Sequence, residues 1–336
     1  MSLPLPYLTH AQAPLTSEIE AVNEFGELQK VSIPAERALT VYVDKRELVT
    51  LMTLGANPEL LVLGYLRNQR LVRDVADIES ITVDWAVGAA AVKTHHGIED
   101  IEEKTAHRVV TTGCGQGSVF GGLMDEVDQI ELPDSAFITQ SQLYGLVNTI
   151  RLKETTYKSA GSVHACALFS TDSGKADMLL FVEDVGRHNA IDTIAGWMWM
   201  WLAPTLPTAC GSLPPEGATP PAVWQSQSCG RNLEKLDAPT LVPSNAADLP
   251  AAGLVFYTTG RLTSEMVIKS AQMGVPVVVS RSGITQMGHQ VAQSVGLCAI
   301  GRATNKRFLC YTHAGRLRLE PGLVTVAVPP FEKETG

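Results

Sequence analysis

Long apolar runs are missing from this 336-residue chain. Nothing in it approaches the roughly 18 consecutive apolar residues of a membrane-spanning helix. The most apolar stretch, Trp197-Met198-Trp199-Met200-Trp201-Leu202, is far too short. Met1 to Pro14 lacks a basic segment followed by an apolar one, so no secretory signal is expected, and the chain reads as cytoplasmic, with no membrane partner. Its six cysteines (Cys114, Cys166, Cys210, Cys229, Cys298, Cys310) form no C-x-x-C, and no histidine pair completes a zinc site. A chain of this size without a signal is not a disulfide scaffold, so most of these thiols are expected to pack as small buried hydrophobes. The phosphate-binding pattern G-x-x-x-x-G-K-[ST] is also absent.

Positive charge is scarce overall, with a net charge of −9, which argues against nucleic acid as a partner. The balance is uneven, however. Residues 261–320 hold eight basic side chains against two acidic ones, Glu265 and Glu320. Such a segment in an acidic protein is either a solvated face or a site for an anion.

What is present is an ordinary globular composition, 45% apolar and 18% charged, long enough for one large or two medium domains. Residues 1–30 are polar and unpatterned and read as a loose leader. Residues 31–134 read as a small, β-rich α+β domain and a cysteine-bearing loop. Ala38 to Val43 alternates with period two before the turn Asp44-Lys45, and Asn57-Pro58 opens a helix as N-cap and first helical residue. Residues 135–336 read as an α/β domain. Thr139 to Gln142 has capping-box form, strands are expected near 163–169 and 178–183, and a helix over 187–201. Strand and helix then alternate from 253 to 300, the signature of a layered sheet. Between them, residues 202–251 carry nine of the 19 prolines and little periodicity, and read as an insertion.

Four segments have the residues for chemistry. Cys114, in Gly113-Cys114-Gly115-Gln116-Gly117, sits on a glycine-rich arm that could carry a thiolate to a partner, or is an incidental turn cysteine. Glu183, Asp184, Arg187, His188 and Asn189 crowd a strand-to-helix junction, a usual ligand position in α/β sheets, where capping and a surface ion pair are the alternative. Gly260 and Arg261 begin a second such junction that suits a phosphate or is a plain helix start. Arg302, Ala303, Thr304, Asn305, Lys306 and Arg307 form a cationic turn between two late strands, suited to an anion or simply solvated. His164-Ala165-Cys166 has Cys where the H-x-E of zinc deaminases has Glu, and P-C-x-x-C is missing, so metal-dependent deamination is disfavoured and no metal ligands are assigned. His164 is expected to face the core or a site.

Taken together these segments resemble the FdhD/NarQ family, over roughly residues 33–201 and 252–313. The resemblance rests on Glu183 to Asp192, on Gly260-Arg261 running into Glu265-Met266-Val267 and Lys269, and on Ser280-Arg281-Ser282. Tyr311-Thr312-His313 and Met52-Thr53 with Leu63 to Leu66 also fall in place. It implies a cytidine-deaminase-like α/β domain behind a smaller β-rich one, commonly as a homodimer. It further implies a carrier that takes sulfur as a cysteine persulfide from a cysteine desulfurase. The carrier then passes it to a molybdenum bis(guanine dinucleotide) cofactor, bound as cargo, for formate dehydrogenase. By the resemblance Cys114 is the sulfur-bearing residue and Arg302 to Arg307 touch the cofactor. The chain departs from the family at Gly117, where many members have a second cysteine, and also at Thr193, Gly283 and Ile284. A cofactor-binding chaperone that relays no sulfur is the alternative.

Overall fold

The computed structural model describes residues 5–98, 109–110, 117–118, 127, 130–153, 155–201 and 251–323. Cys114 and nearly all of the proline-rich insertion lie outside the described residues.

The N-terminal part is built from β1 (Tyr7–Leu8), β2 (Thr16–Val22), β3 (Leu28–Pro34), β4 (Arg37–Val43), β5 (Arg46–Thr53), α1 (Pro58–Asn68), β6 (Ile78–Asp84) and β7 (Ala89–Thr94). Five of the strands form a sheet in the order β1-β6-β7-β4-β5. In β4 the expected alternation holds, burying Leu39, Val41 and Val43. The turn that follows has both Asp44 and Lys45 at positive φ (47° and 74°), as a tight two-residue hairpin requires. Helix α1 lays Leu61, Val62, Tyr65 and Leu66 against this sheet. Pro58 opens it as expected, but the Asn57 side chain makes no cap bond, and that end is fixed instead by the Asn57 carbonyl accepting from Leu61 N.

From residue 5 onward, the segment expected as a loose leader over 1–30 is structured. β2 and β3 pair as an antiparallel hairpin from Thr16↔Pro34 to Val22↔Leu28, and β1 adds to the five-stranded sheet. Most of β2 faces solvent on both sides, so the pairing leaves no apolar alternation to read. Two bonds to the buried Glu59 carboxylate, from Thr9 Oγ1 and Ala11 N (both 2.7 Å), hold the preceding segment to α1.

Two short strands follow, β8 (Val109–Val110) and β9 (Gly117–Ser118), paired to each other and flanking the cysteine segment in sequence. The C-terminal part comprises β10 (Ile138–Thr139), α2 (Gln140–Lys153), α3 (Thr155–Ala160), β11 (His164–Ser170), β12 (Asp177–Asp184), α4 (Arg187–Trp201), β13 (Leu254–Thr258), α5 (Ser264–Gln272), β14 (Val277–Ser280), α6 (Gln286–Ser294), β15 (Cys298–Thr304), β16 (Arg307–Cys310) and β17 (Leu317–Arg318). The capping box at α2 is formed: Thr139 N donates to Gln142 Oε1 (2.9 Å) and Gln142 N to Thr139 Oγ1 (3.2 Å). A six-stranded mixed sheet runs β12-β11-β13-β14-β15-β16, with β13, β14 and β15 mutually parallel. Successive strand residues point to opposite faces. Cys166, Leu168, Phe256 and Val278 meet α4, α5 and α6 on one side, while Ala167, Phe169, Tyr257 and Val279 meet α2 on the other. Both faces are covered, which is why β14 opens on three successive valines, Val277 to Val279. The architecture is therefore mixed α/β, with helices on both faces of this sheet.

The two parts meet where α1 crosses α4. A Cβ on Gly64 would lie 1.6 Å from the Asp192 carbonyl oxygen, and one on Gly196 would lie 2.0 Å from the Leu60 carbonyl oxygen. The helix backbones touch, and only glycine at both positions permits it. Beyond the crossing, Trp199 and Met200 of α4 complete the N-terminal core. Gly64→Ala or Gly196→Ala should lower the unfolding free energy by about 3 kcal/mol or more, since the clashing atoms are backbone and cannot rotate away. Gly145→Ala is the control. It lies on the exposed side of α2 with nothing within 4 Å of a new Cβ and should gain up to about 1 kcal/mol. Urea unfolding of the three variants reads both effects.

Candidate functional site

The carboxyl ends of β13, β14 and β15 point to one edge of the six-stranded sheet. The antiparallel register places the start of β11 and the end of β12 there too, His164 opposite Asp184. That edge is where α/β sheets bind ligands. It gathers His164, Glu183, Asp184, Arg187, His188, Asn189, Gly260 and Arg261, which the sequence scatters over about a hundred positions.

Three turns along this edge are laced together. Ser280 Oγ donates to the Gly260 carbonyl (2.7 Å), and Arg281 N donates to the Thr258 carbonyl (2.9 Å). Ser282 N donates to Ser280 Oγ (2.9 Å), and Arg302 N donates to the Ser282 carbonyl (2.6 Å). The junction at Gly260-Arg261 and the start of the cationic hairpin are thus one continuous wall. In that hairpin Arg302 and Asn305 adopt left-handed φ (51° and 52°), and the β15–β16 register shifts between Gly301 and Thr304. The irregularity leaves Arg302, Thr304, Asn305, Lys306 and Arg307 exposed while Ala303 is buried. The tip rests on α2, where Tyr144 Oη donates to the Lys306 carbonyl (3.2 Å).

The acidic residues of the edge are all occupied. Glu183 accepts from Thr156 N (2.8 Å) and Tyr157 N (3.1 Å) in the first turn of α3. Asp184 accepts four bonds: Thr53 Oγ1 (2.5 Å), Leu54 N (3.1 Å), Gly186 N (3.0 Å) and Asn189 Nδ2 (2.8 Å). Burial still holds its carboxyl above the usual range. Asn189 also donates to the Met52 carbonyl (2.6 Å), so Asp184 and Asn189 fasten the β12–α4 junction to the end of β5. Deeper in, Lys269 Nζ lies 2.9 Å from Asp192 and 3.3 Å from Glu265, and Asn68 Nδ2 donates to Asp192 (2.7 Å). Burial works against the Lys269 ammonium, but the Asp192 and Glu265 carboxylates outweigh it and raise its pKa.

The basic and imidazole groups are in the opposite condition. Arg187 is 4% exposed, and its Nε and Nη2 meet no acceptor. Burial drives the His188 pKa down to about 3, with Glu265 offsetting part of the fall and Lys269, Arg187 and His164 adding to it. The imidazole is therefore neutral, and its 3.3 Å approach to Glu265 is not an ion pair. Burial, then the charges of Arg187 and Arg261, also lowers the pKa of His164. Cys166, beneath this group, donates to Thr258 Oγ1 (3.3 Å), and burial pushes its thiol up to about 12. It is a core thiol without thiolate character.

Sequence reasoning assigned no part to Thr53, Asn68, Asp192, Thr263, Glu265 or Lys269 in this arrangement. The available signal was charge out of place: Asp192 inside Ala190-Ile191-Asp192-Thr193-Ile194-Ala195, and Lys269 following Met266-Val267-Ile268. A separate cleft of about 360 Å³, lined by Asp134, Phe137, His313, Arg316 and Arg318 among others, holds none of the sequence-predicted residues. Its Arg316 donates from Nε to the Gly296 carbonyl (3.0 Å), just before β15.

Comparison with known proteins adds the following. Residues 34–205 and 245–318 match the model of the FdhD/NarQ family. The chain is 27% identical over 298 residues to the sulfur carrier protein FdhD of Bacillus subtilis (strain 168), covering 88% of this chain and 94% of the relative. It is 24% identical over 294 residues to the protein of the same name from Wolinella succinogenes, covering 88% and 85%. A crystal structure described as a formate dehydrogenase accessory protein, from Desulfotalea psychrophila, superposes with a TM-score of 0.59 at 18% identity, covering 90% of this chain and 100% of the other.

Two outcomes follow from the buried charges. Lys269→Met removes the cation facing Asp192 and Glu265 and should cost about 3–5 kcal/mol of unfolding free energy. For His188 the folded pKa of about 3 lies below the ordinary value of about 6.5, so between those values the unfolded chain binds a proton that the folded chain does not. Its contribution to stability is complete above about pH 6.5 and is lost as pH falls. His188→Gln should therefore flatten the decline of the urea midpoint between pH 6.5 and 4, and an unchanged slope would show that other groups govern it.

Proposed function

We propose a sulfur-relay role for this chain, which belongs to the FdhD/NarQ family. In this reading Cys114 attacks the terminal sulfur of a persulfide on a cysteine desulfurase. The Cys114 sulfur bonds to that atom, the donor's S–S bond breaks, and the desulfurase leaves as its thiolate. Cys114 then bears the persulfide and would deliver its outer sulfur to the molybdenum of a bis(guanine dinucleotide) cofactor destined for formate dehydrogenase: the Cys114 S–S bond breaks, Cys114 leaves as its thiolate, and the two electrons that reduce the sulfur to sulfide come from the reduced metal. The observation that carries the reading is the family match across 34–205 and 245–318, joined to relatives named sulfur carrier protein FdhD.

The edge of the six-stranded sheet supports the cofactor half of this reading. A dinucleotide brings several phosphates, and the wall from Gly260-Arg261 through Arg281 to Arg302, Lys306 and Arg307 brings cations with their charges exposed. The Arg261, Arg302, Lys306 and Arg307 side chains would bind and orient the cargo. The fold supports a cytidine-deaminase-like layering through its helices on both sheet faces. The reading further carries a cytoplasmic location, a homodimer, and a cysteine desulfurase and formate dehydrogenase as partners.

Gly117 favours one competing reading, a cofactor chaperone that relays no sulfur, because the Cys114 segment lacks a second thiol. Two measurements separate them. Incubation with a cysteine desulfurase and cysteine should add about 32 Da, one sulfur atom, to the intact mass, and Cys114→Ala should abolish the adduct, since the thiolate is the acceptor. In cells Cys114→Ala should abolish formate dehydrogenase activity. Full activity with Cys114→Ala would establish the chaperone instead.

A further inference from the structure

Four carboxylates surround the junction of β12 and α4, and none serves Arg187. Glu183 is turned to α3, Asp184 to β5, and Asp192 and Glu265 to Lys269. Among the described residues no acidic side chain forms an ion pair with Arg187, and two of its buried nitrogens have no acceptor. A guanidinium keeps its charge in proteins, and an unmade bond from a buried charged donor costs its full desolvation. Evolution of a stable core alone would not keep such a group.

A second orphan borders the same turn. Thr263 is the N-cap of the nine-residue helix α5, yet its hydroxyl caps nothing and is itself buried without a partner. The first N–H groups of α5 therefore receive no side-chain oxygen from their cap. Gly260 joins the two features: a Cβ there would lie 2.8 Å from Arg187 Cδ, so glycine is what lets the arginine lie against the turn. Arg261 is exposed beside it, and both arginines act on His164.

We propose that Arg187 anchors a phosphate group at the N-terminal end of α5, with the Thr263 hydroxyl and the first turn of that helix completing the cradle. A guanidinium and a hydroxyl without partners, beside a helix N-terminus whose first-turn carboxylate, Glu265, is paired with Lys269, are the complement of a phosphate. The inference deepens the cofactor reading above and rests on it only for which molecule carries the phosphate. The exposed hairpin from Arg302 to Arg307 then holds the outer part of the ligand and Arg187 its innermost charge.

Calorimetric titration of the whole protein with GDP, guanosine and inorganic phosphate tests this without any sulfur chemistry. GDP should bind more tightly than guanosine. Arg187→Gln should weaken GDP by about tenfold or more, the loss of a charge-assisted contact, and leave guanosine unchanged. Arg187→Lys should recover part of the loss. A response to inorganic phosphate that GDP does not exceed assigns the site to the free ion. A response to neither phosphate source, or equal GDP affinity in wild type and Arg187→Gln, overturns the proposal. Stability gives a second reading. Without ligand, Arg187→Gln should melt at or above the wild-type temperature, because an unpaired buried charge is removed. A marked fall would make Arg187 a structural residue and overturn the proposal. A missing persulfide on Cys114 would instead end the sulfur-relay reading and leave phosphate binding standing.

Discussion

At Gly64 and Gly196 two helix backbones lie in direct contact, and much of the molecule is arranged around that contact. With no side chain between the helices, α1 and α4 hold one relative position, and the polar groups that bridge their seam bond at that spacing. Asn68 reaches Asp192 from α1, Lys269 reaches Asp192 from α5, and Glu265 shares the ammonium. A buried ion pair of this kind gives modest net stability, because desolvation cancels much of the attraction. Its effect here is geometric: it fixes α5 against α4, and so fixes the turn from Gly260 to Thr263 against the start of α4.

The same constraint explains how charge is distributed at the sheet edge. Asp184 is spent on the N-terminal part, accepting from Thr53 and Leu54, and Glu183 is spent on α3. Joining the parts thus consumes the acids that would otherwise neutralise Arg187. The Glu183 to Asn189 motif contains a structural half and a chemical half in seven residues. Its carboxylates and amide tie the fold together, and its arginine is left facing the edge. A motif of mixed charge in the sequence is divided in three dimensions between carboxylates that are bonded elsewhere and a buried guanidinium with two unbonded nitrogens.

The C-terminal strands and helices were legible because a sheet covered on both faces produces short apolar runs separated by amphipathic helices, as in Val277–Ser280 between α5 and α6. The cationic turn at Arg302 to Arg307 was legible for the same reason, lying between two such strands. The hairpin of β2 and β3 was not, since both its faces are largely solvated and backbone pairing leaves no trace in side-chain hydrophobicity. Nor was the condition of Arg187. Its isolation depends on where four carboxylates turn, and each turns toward a group more than 20 positions away or toward Lys269. Long-range partners of polar groups have no periodicity to detect. Cys114 was singled out by its glycine neighbours and by family resemblance, and it lies outside the described residues.

Helix α4 belongs to one part of the fold by sequence and to both by packing, because Trp199 and Met200 close the N-terminal core. During synthesis this sets an order. Asn68 and Thr53 leave the ribosome 124 and 131 residues ahead of Asp192 and Asp184. At ordinary translation speeds of about 5–20 residues per second that gap lasts on the order of ten seconds. For that interval the five-stranded sheet and α1 have their core open and their glycine groove empty. The N-terminal half is made first but completed late, and the apolar side of α1 is the surface that a nascent-chain chaperone would meet.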